Sequence, residues 1–177
     1  MNTRQAEPQE TAAVAQLFTA TFTASEGASE GKQIGDLAHR LMSTPDEPAI
    51  CFGTWQDQQL TAAVIFTELR VAHPLQVMLL SPLAVAPNWQ RQGNGQALVK
   101  HSMDILQEQG VSHLVTYGDP AFYSKLGFTP IREHQLKAPQ PLSYPRGWIA
   151  RPLSEHGFDE LKGTASCASA LDDPQYW

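Results

Sequence analysis

The chain has 177 residues, 42% of them hydrophobic and 17% charged, with 12 basic against 18 acidic side chains and a formal net charge of −6. That length and composition suit one folded domain with a real core and exclude a disordered tail. An acidic balance without any Lys/Arg run argues against nucleic acid as a partner and favours a small or cationic one.

In chain order, residues 2–6 read as a short strand. Pro8 suits a helix start, where its missing N–H costs nothing. Val14, Leu17, Phe18 and Phe22 follow at helical spacing and predict a first helix over about 8–22. "TASEGASEGKQ" reads as a small, polar, acidic loop, and Ile34, Leu37, Ala38 and Leu41 mark a second helix that ends before Pro45. "AICFGTW" and "LTAAVIFTEL" form a hairpin across the polar turn Gln56–Gln59. "LQVMLLSPLAVAP" is a third long strand, in which Pro82 cannot donate to a ladder and so implies a bulge or an unpaired side. Asn94 to Gln109 predicts a helix closed by Gly110. "SHLVTYG" is a buried strand, and Asp119 with Pro120 caps a short helix over "DPAFYSKLGF". Beyond Lys137 the texture becomes proline-rich and extended, with strands expected around Trp148–Arg151 and near Thr164–Ala168. The sequence β-α-α-β-β-β-α-β-α-β-β predicts a single-domain α/β fold, a mixed sheet with helices on its faces.

Cys51 and Cys167 stand far apart without a C-x-x-C, which argues against a disulfide framework or a zinc site and reads as buried or incidental thiols. The six histidines show no metal-ligand spacing and read as surface or capping residues, so no metal is expected. No apolar run reaches the roughly 20 residues that cross a bilayer. The N-terminal "MNTRQAEPQE" lacks the apolar stretch of a signal peptide. A soluble, cytoplasmic protein without a membrane partner is the expectation.

The chemically suggestive stretch is "NWQRQGNGQALVKHSM", Asn88 to Met103. It places Gly93 and Gly95 where a strand gives way to a helix. Free N–H groups and the dipole make a helix N-terminus attractive to anions, and glycine lets backbone approach closely. The turn thus reads either as a diphosphate cradle, with Arg91 beside it, or as a turn that uses glycine for geometry alone. It is neither a Walker loop, since Gln96 and Ala97 follow Gly95, nor a dinucleotide fingerprint, since only G-x-G is present and it comes mid-chain.

"LAVAPNWQRQGNGQALV" resembles the acyl-CoA segment of the GCN5-related N-acetyltransferases (GNAT), whose signature Q/R-x-x-G-x-G/A is matched by Gln90, Gly93 and Gly95. "YGDPAFYSKLGF" is similar to the later family segment in which a Tyr precedes Gly-Phe; Tyr123, Gly127 and Phe128 match it. The motifs lie about 30 residues apart in the family's order, and the resemblance covers roughly residues 2–135. It implies a mixed, mostly antiparallel central sheet flanked by helices. It also implies one N-acetyltransferase domain over 1–177, with a core at about 2–135 and C-terminal strands and tail at 136–177.

By the same resemblance, acetyl-CoA would be the co-substrate. Leu83, Ala84 and Val85 would pair with its pantetheine arm as an added strand does. Arg91, Gln92, Gly93, Asn94, Gly95 and Gln96 would wrap its pyrophosphate, mainly through backbone amides. Asn94 departs from the apolar residue often found between the glycines. A primary amine, on a small molecule or a peptide, would attack the thioester directly. The Val85 amide would meet the carbonyl oxygen and Tyr123 the departing sulfur, unless Tyr123 is simply a core residue beside Phe122 and Leu126. Glu26 and Glu30, in the expected loop, would hold the amine or pass on its proton, or would merely be solvated. Two other readings stand beside this one: a non-catalytic acyl-CoA-binding sensor module, and a protein lysine or N-terminal acetyltransferase. The aromatic tail, Trp148, Tyr176 and Trp177, would cover the acceptor side, form a homodimer contact, or pack in the core.

Overall fold

The computed structural model describes residues 1–155 and 157–177; His156, one of the six histidines, lies outside the described residues. Among the described residues the strands are β1 (Asn2–Gln5), β2 (Ile50–Gln56), β3 (Gln59–Glu68), β4 (Val77–Val85), β5 (His113–Tyr117), β6 (Thr129–Pro130), β7 (Leu136–Lys137), β8 (Trp148–Pro152) and β9 (Gly163–Thr164). The helices are α1 (Thr11–Glu26), α2 (Ala28–Ser43), α3 (Asn94–Glu108) and α4 (Pro120–Tyr123), with short 3-10 turns between. A seven-stranded sheet runs in the order β1-β2-β3-β4-β5-β8-β6, and β7 with β9 makes a separate two-stranded sheet. The large sheet is antiparallel at β1–β2, β2–β3, β5–β8 and β6–β8, and parallel at β4–β5. The α/β architecture and the mostly antiparallel sheet agree with expectation.

The chain divides into two compact units. The first comprises Met1–Phe66 and Ser81–Ser102. Its β2–β3 hairpin turns on Asp57 and Gln58, both with positive φ (48° and 68°), as a two-residue turn of the primed type requires. Phe18, Leu37, Leu41, Phe52, Phe66 and Leu98 are fully buried in it, and Phe52 meets Phe66 edge to face at 6.1 Å. Each such side chain contributes about 1.5–3 kcal/mol by leaving water.

Here the expected acidic loop is corrected. α1 continues to Glu26 and α2 begins at Ala28, so Gly27, at φ 99°, is the whole connection. Glu26 ends one helix and Glu30 sits in the first turn of the next. Gly31 and Gly35 are buried in α2, not in a loop. A Cβ on Gly31 would come within 1.9 Å of Thr23 Oγ1 and 2.6 Å of the Thr19 carbonyl. One on Gly35 would come within 1.8 Å of Thr19 Oγ1. Glycine, usually a helix weakener, is here what lets α2 lie close on α1.

The second unit comprises Thr67–Leu80 and Met103–Trp177. Its β4–β5 ladder covers Val77–Leu79 opposite His113–Val115 and goes no further, short of Pro82. β8 crosses β5 from His113↔Pro152 to Tyr117↔Trp148. Trp148 is fully buried and donates from its indole nitrogen to the Leu136 carbonyl at 2.8 Å. Trp177 is buried too, stacked on Tyr117 at 5.9 Å, edge-on to Trp148 at 5.8 Å, and bonded to the Leu171 carbonyl at 2.8 Å. Of the three roles open to the tail aromatics, core packing is thus the one these two rings perform. The strand expected near Thr164–Ala168 is shorter and earlier, Gly163–Thr164, followed by a single bridge from Ser166 to Arg70. His113 corrects the surface reading of the histidines. It is fully buried, with Nδ1 3.0 Å from Ser112 Oγ and Nε2 3.0 Å from the Gly157 carbonyl.

Candidate active site

The glycine turn belongs to the first unit. A 3-10 turn over Pro87–Trp89 leads from β4 toward α3. Arg91 (φ 59°) and Gly93 (φ 81°) then take left-handed conformations, which cost a non-glycine L-residue such as Arg91 about 1–2 kcal/mol. A Cβ at Gly93 would meet nothing within 4 Å, so the requirement there is conformational and not steric. The first backbone bond of α3 runs from Ala97 N–H to the Gly93 carbonyl at 2.9 Å. The amides of Asn94, Gly95 and Gln96 come before that bond, so none of them has an acceptor within the helix. Consecutive amides of this kind, directly after left-handed backbone at a helix start, form a concave donor set suited to an anion.

The end of β4 is equally ordered. Ala86 N–H donates to the Thr61 carbonyl of β3 at 2.8 Å. Backbone groups alternate along a strand, so Ala84 turns the same way while Leu83 and Val85 turn their N–H and C=O away from β3. The Val85 carbonyl accepts from Gln90 Nε2 at 2.8 Å. Gln90, first residue of the signature, thereby ties the turn to the strand. That role is invisible in sequence because it depends on the chain folding back five residues.

Tyr123 belongs to the second unit. Asp119 Oδ1 accepts from Ala121 N–H at 2.9 Å and Pro120 occupies the first helical position, so the predicted cap forms. α4 is a single turn and runs on through a 3-10 turn to Gly127 (φ 80°). Tyr123 ends α4 buried, edge-on to Phe122 at 4.9 Å and Phe128 at 5.3 Å. A Cβ on Gly118 would come within 2.6 Å of its ring. Gly118 is therefore the seat of the phenol, a residue that sequence reasoning passed over as an ordinary strand end. Burial pushes the Tyr123 pKa well above the ordinary phenol value; a hydrogen bond with Thr116 offsets part of this and the charge of Asp119 adds to it. Thr116 is itself buried and donates to the Leu80 carbonyl at 2.7 Å.

Glu26 is exposed and Glu30 half-buried, on either side of Gly27. Among the described residues no His, Cys, Asp or Glu cluster could hold a metal ion, and no helix is long and apolar enough to cross a membrane.

Both motifs lie in one stretch that a family model recognises: the acetyltransferase (GNAT) domain matches residues 47–130, from β2 to β6. That match covers a little under half of the chain, and over it the chain is similar to the GNAT acetyltransferase domain. The uncharacterized N-acetyltransferase YhbS of Escherichia coli K12 is 33% identical over 111 residues, 62% of this chain and 60% of that protein. The matched stretch thus spans about three fifths of that relative. Among solved structures, a GNAT family N-acetyltransferase (YhbS) from Escherichia coli, in complex with CoA, has a TM-score of 0.85 at 24% identity, covering 97% of this chain and 92% of that one. A GNAT family acetyltransferase from Brucella melitensis, in complex with acetyl-CoA, has a TM-score of 0.75 at 18% identity, covering 97% of each. At these identities the likeness establishes the fold.

Proposed function

We propose that this protein is a GNAT-family N-acetyltransferase that moves an acetyl group from acetyl-CoA to a primary amine by direct attack on the thioester. One observation carries the reading: the amides of Asn94, Gly95 and Gln96, without an acceptor within the helix at the start of α3, directly after left-handed Arg91 and Gly93. The bound ligands of the Escherichia coli and Brucella melitensis relatives support it.

Acetyl-CoA brings an activated thioester. In this reading the amides of Arg91, Gln92, Gly93, Asn94, Gly95 and Gln96 hold its diphosphate, with the exposed Arg91 guanidinium as a counter-charge. Leu83 and Val85, whose backbone turns away from β3, bond the pantetheine arm, with Ala84 between them. As the amine nitrogen bonds the carbonyl carbon, the Val85 amide meets the oxygen, where negative charge grows. The C–S bond then breaks, and Tyr123 donates a hydrogen bond to the departing sulfur. A buried phenol of raised pKa gives up its proton reluctantly, so Tyr123 acts more as a donor than as a full acid. Glu26 and Glu30 are the proposed carboxylates that hold the cationic amine and take its proton through water. A small-molecule or peptide amine both remain within the proposal.

The test is calorimetric titration with CoA, then thiol release from acetyl-CoA over a panel of a polyamine, an amino sugar and lysine peptides. Binding with amine-dependent release is expected. Binding without release across the panel sinks the enzyme reading in favour of a sensor module, and absence of binding sinks both.

A further inference from the structure

Three side-chain amides brace the glycine turn. Gln90 Nε2 donates to the Val85 carbonyl at 2.8 Å, Gln92 Nε2 to the Asn88 carbonyl at 3.0 Å, and Asn94 Nδ2 to the Trp89 carbonyl at 2.7 Å. Each spends its donor on a backbone oxygen just upstream, so these oxygens are bonded back into the chain while the first amides of α3 have no acceptor within the helix. The Asn94 bond differs from the other two. Gln90 and Gln92 are exposed, whereas Asn94 is half-buried and makes the shortest of the three bonds. It closes the chain between Trp89 and the first residue of α3, and inside that closure lie Arg91 and Gly93, the two left-handed residues. A left-handed arginine persists only where its surroundings over-determine it.

We propose that Asn94 is a positioning residue for the diphosphate turn: its side chain clamps Trp89 to the start of α3 and holds the Arg91–Gly93 backbone in its anion-binding shape before the coenzyme arrives. The inference rests on the coenzyme reading above. An apolar side chain at this place packs but cannot tie a carbonyl; the polar one replaces packing with a bond inside the turn. Pre-ordering a binding loop raises affinity by removing the ordering cost from the binding step.

The experiment compares wild type with Asn94→Leu, similar in size and without a donor, on two thioesters. One is acetyl-CoA; the other is S-acetylpantetheine, which has the arm but no diphosphate. The expected result is a rise of about tenfold in Kd for CoA and in KM for acetyl-CoA, with kcat within about twofold and kcat/KM for S-acetylpantetheine unchanged. Gln92→Leu, at an exposed position that puts folding at little risk, should show the same selectivity with a smaller rise. It serves as the test should Asn94→Leu fail to fold. Equal losses on both thioesters, or no loss on either, overturn the proposal. A wild-type protein that binds no CoA overturns the coenzyme reading and this inference with it. CoA binding equally tight in wild type and Asn94→Leu overturns the clamp alone.

Discussion

Tyr123 carries the sharpest chemical assignment on a single side chain. Replacing it with Phe keeps the ring packing against Phe122 and Phe128 and removes only the hydroxyl. If the phenol meets the leaving sulfur, kcat falls about 10²–10⁴-fold while KM for acetyl-CoA stays nearly constant. Turnover unchanged in Tyr123→Phe removes the residue from the mechanism. The pH dependence follows from the raised pKa. The proton stays on the phenol up to and beyond its ordinary value of about 10, so kcat should show no limb from loss of this donor below that pH. A descending limb near neutrality that vanishes in the Phe variant would contradict the assignment.

Two elements owe their placement to glycines. On α2, Gly31→Ala adds about 1 kcal/mol of helix propensity, but the new Cβ would lie 2.6 Å from the Thr19 carbonyl and 2.7 Å from the Thr23 amide. These are backbone atoms that cannot swing aside, and overpacking of this kind costs about 1–3 kcal/mol. The clash outweighs the propensity. Gly31→Ala should lower Tm by several degrees, since 1 kcal/mol corresponds to about 2–4 °C at this size; a raised Tm would show that the α1–α2 contact yields. At the β5–α4 junction the neighbour is a side chain. Gly118→Ala should push the Tyr123 ring from its seat, cutting kcat more than it lowers Tm, and steady-state kinetics beside a thermal melt separates the two effects. Gly31 also explains why local propensity points to an acidic loop where the structure has helix. "TASEGASEGKQ" holds two glycines within five residues, which by local propensity breaks a helix, yet only Gly27 does so. Gly31 faces α1, and the helix tolerates it because close packing repays the lost propensity.

Across the molecule as a whole, buried acids set an alkaline limit on stability. Burial, with a smaller contribution from the charge of Glu10, raises the Cys51 pKa from 9.0 to about 12. Tyr123 is raised in the same direction. A group whose folded pKa exceeds its unfolded one contributes stability that is complete below the unfolded value and is lost as pH rises toward the folded value. For Cys51 that window opens near pH 9 and extends to about 12, and Tyr123 adds to the loss above about pH 10. Urea midpoints should therefore be flat from pH 7 to 8.5 and fall steadily beyond pH 9. With both cysteines buried, a thiol reagent at pH 8 should label neither until the chain unfolds; rapid native labelling would show that one of them opens to solvent.

Much of this protein was legible from residue order, because the signals involved are local. The hairpin at Asp57–Gln58, the capped start of α4 at Asp119–Pro120, the α3 helix closed off by Gly110 and the Q-x-x-G-x-G turn each depend on neighbours a few positions apart. The division of labour inside the site was not legible. That Gln90 and Asn94 would bond carbonyls upstream and that Gly118 would seat the Tyr123 ring depend on how the chain folds back over five residues, while the burial of His113 against Gly157 and the packing of Trp177 on Tyr117 need distant backbone to meet. No periodicity encodes such meetings, since the partner of each side chain is chosen by the fold and not by spacing along the chain.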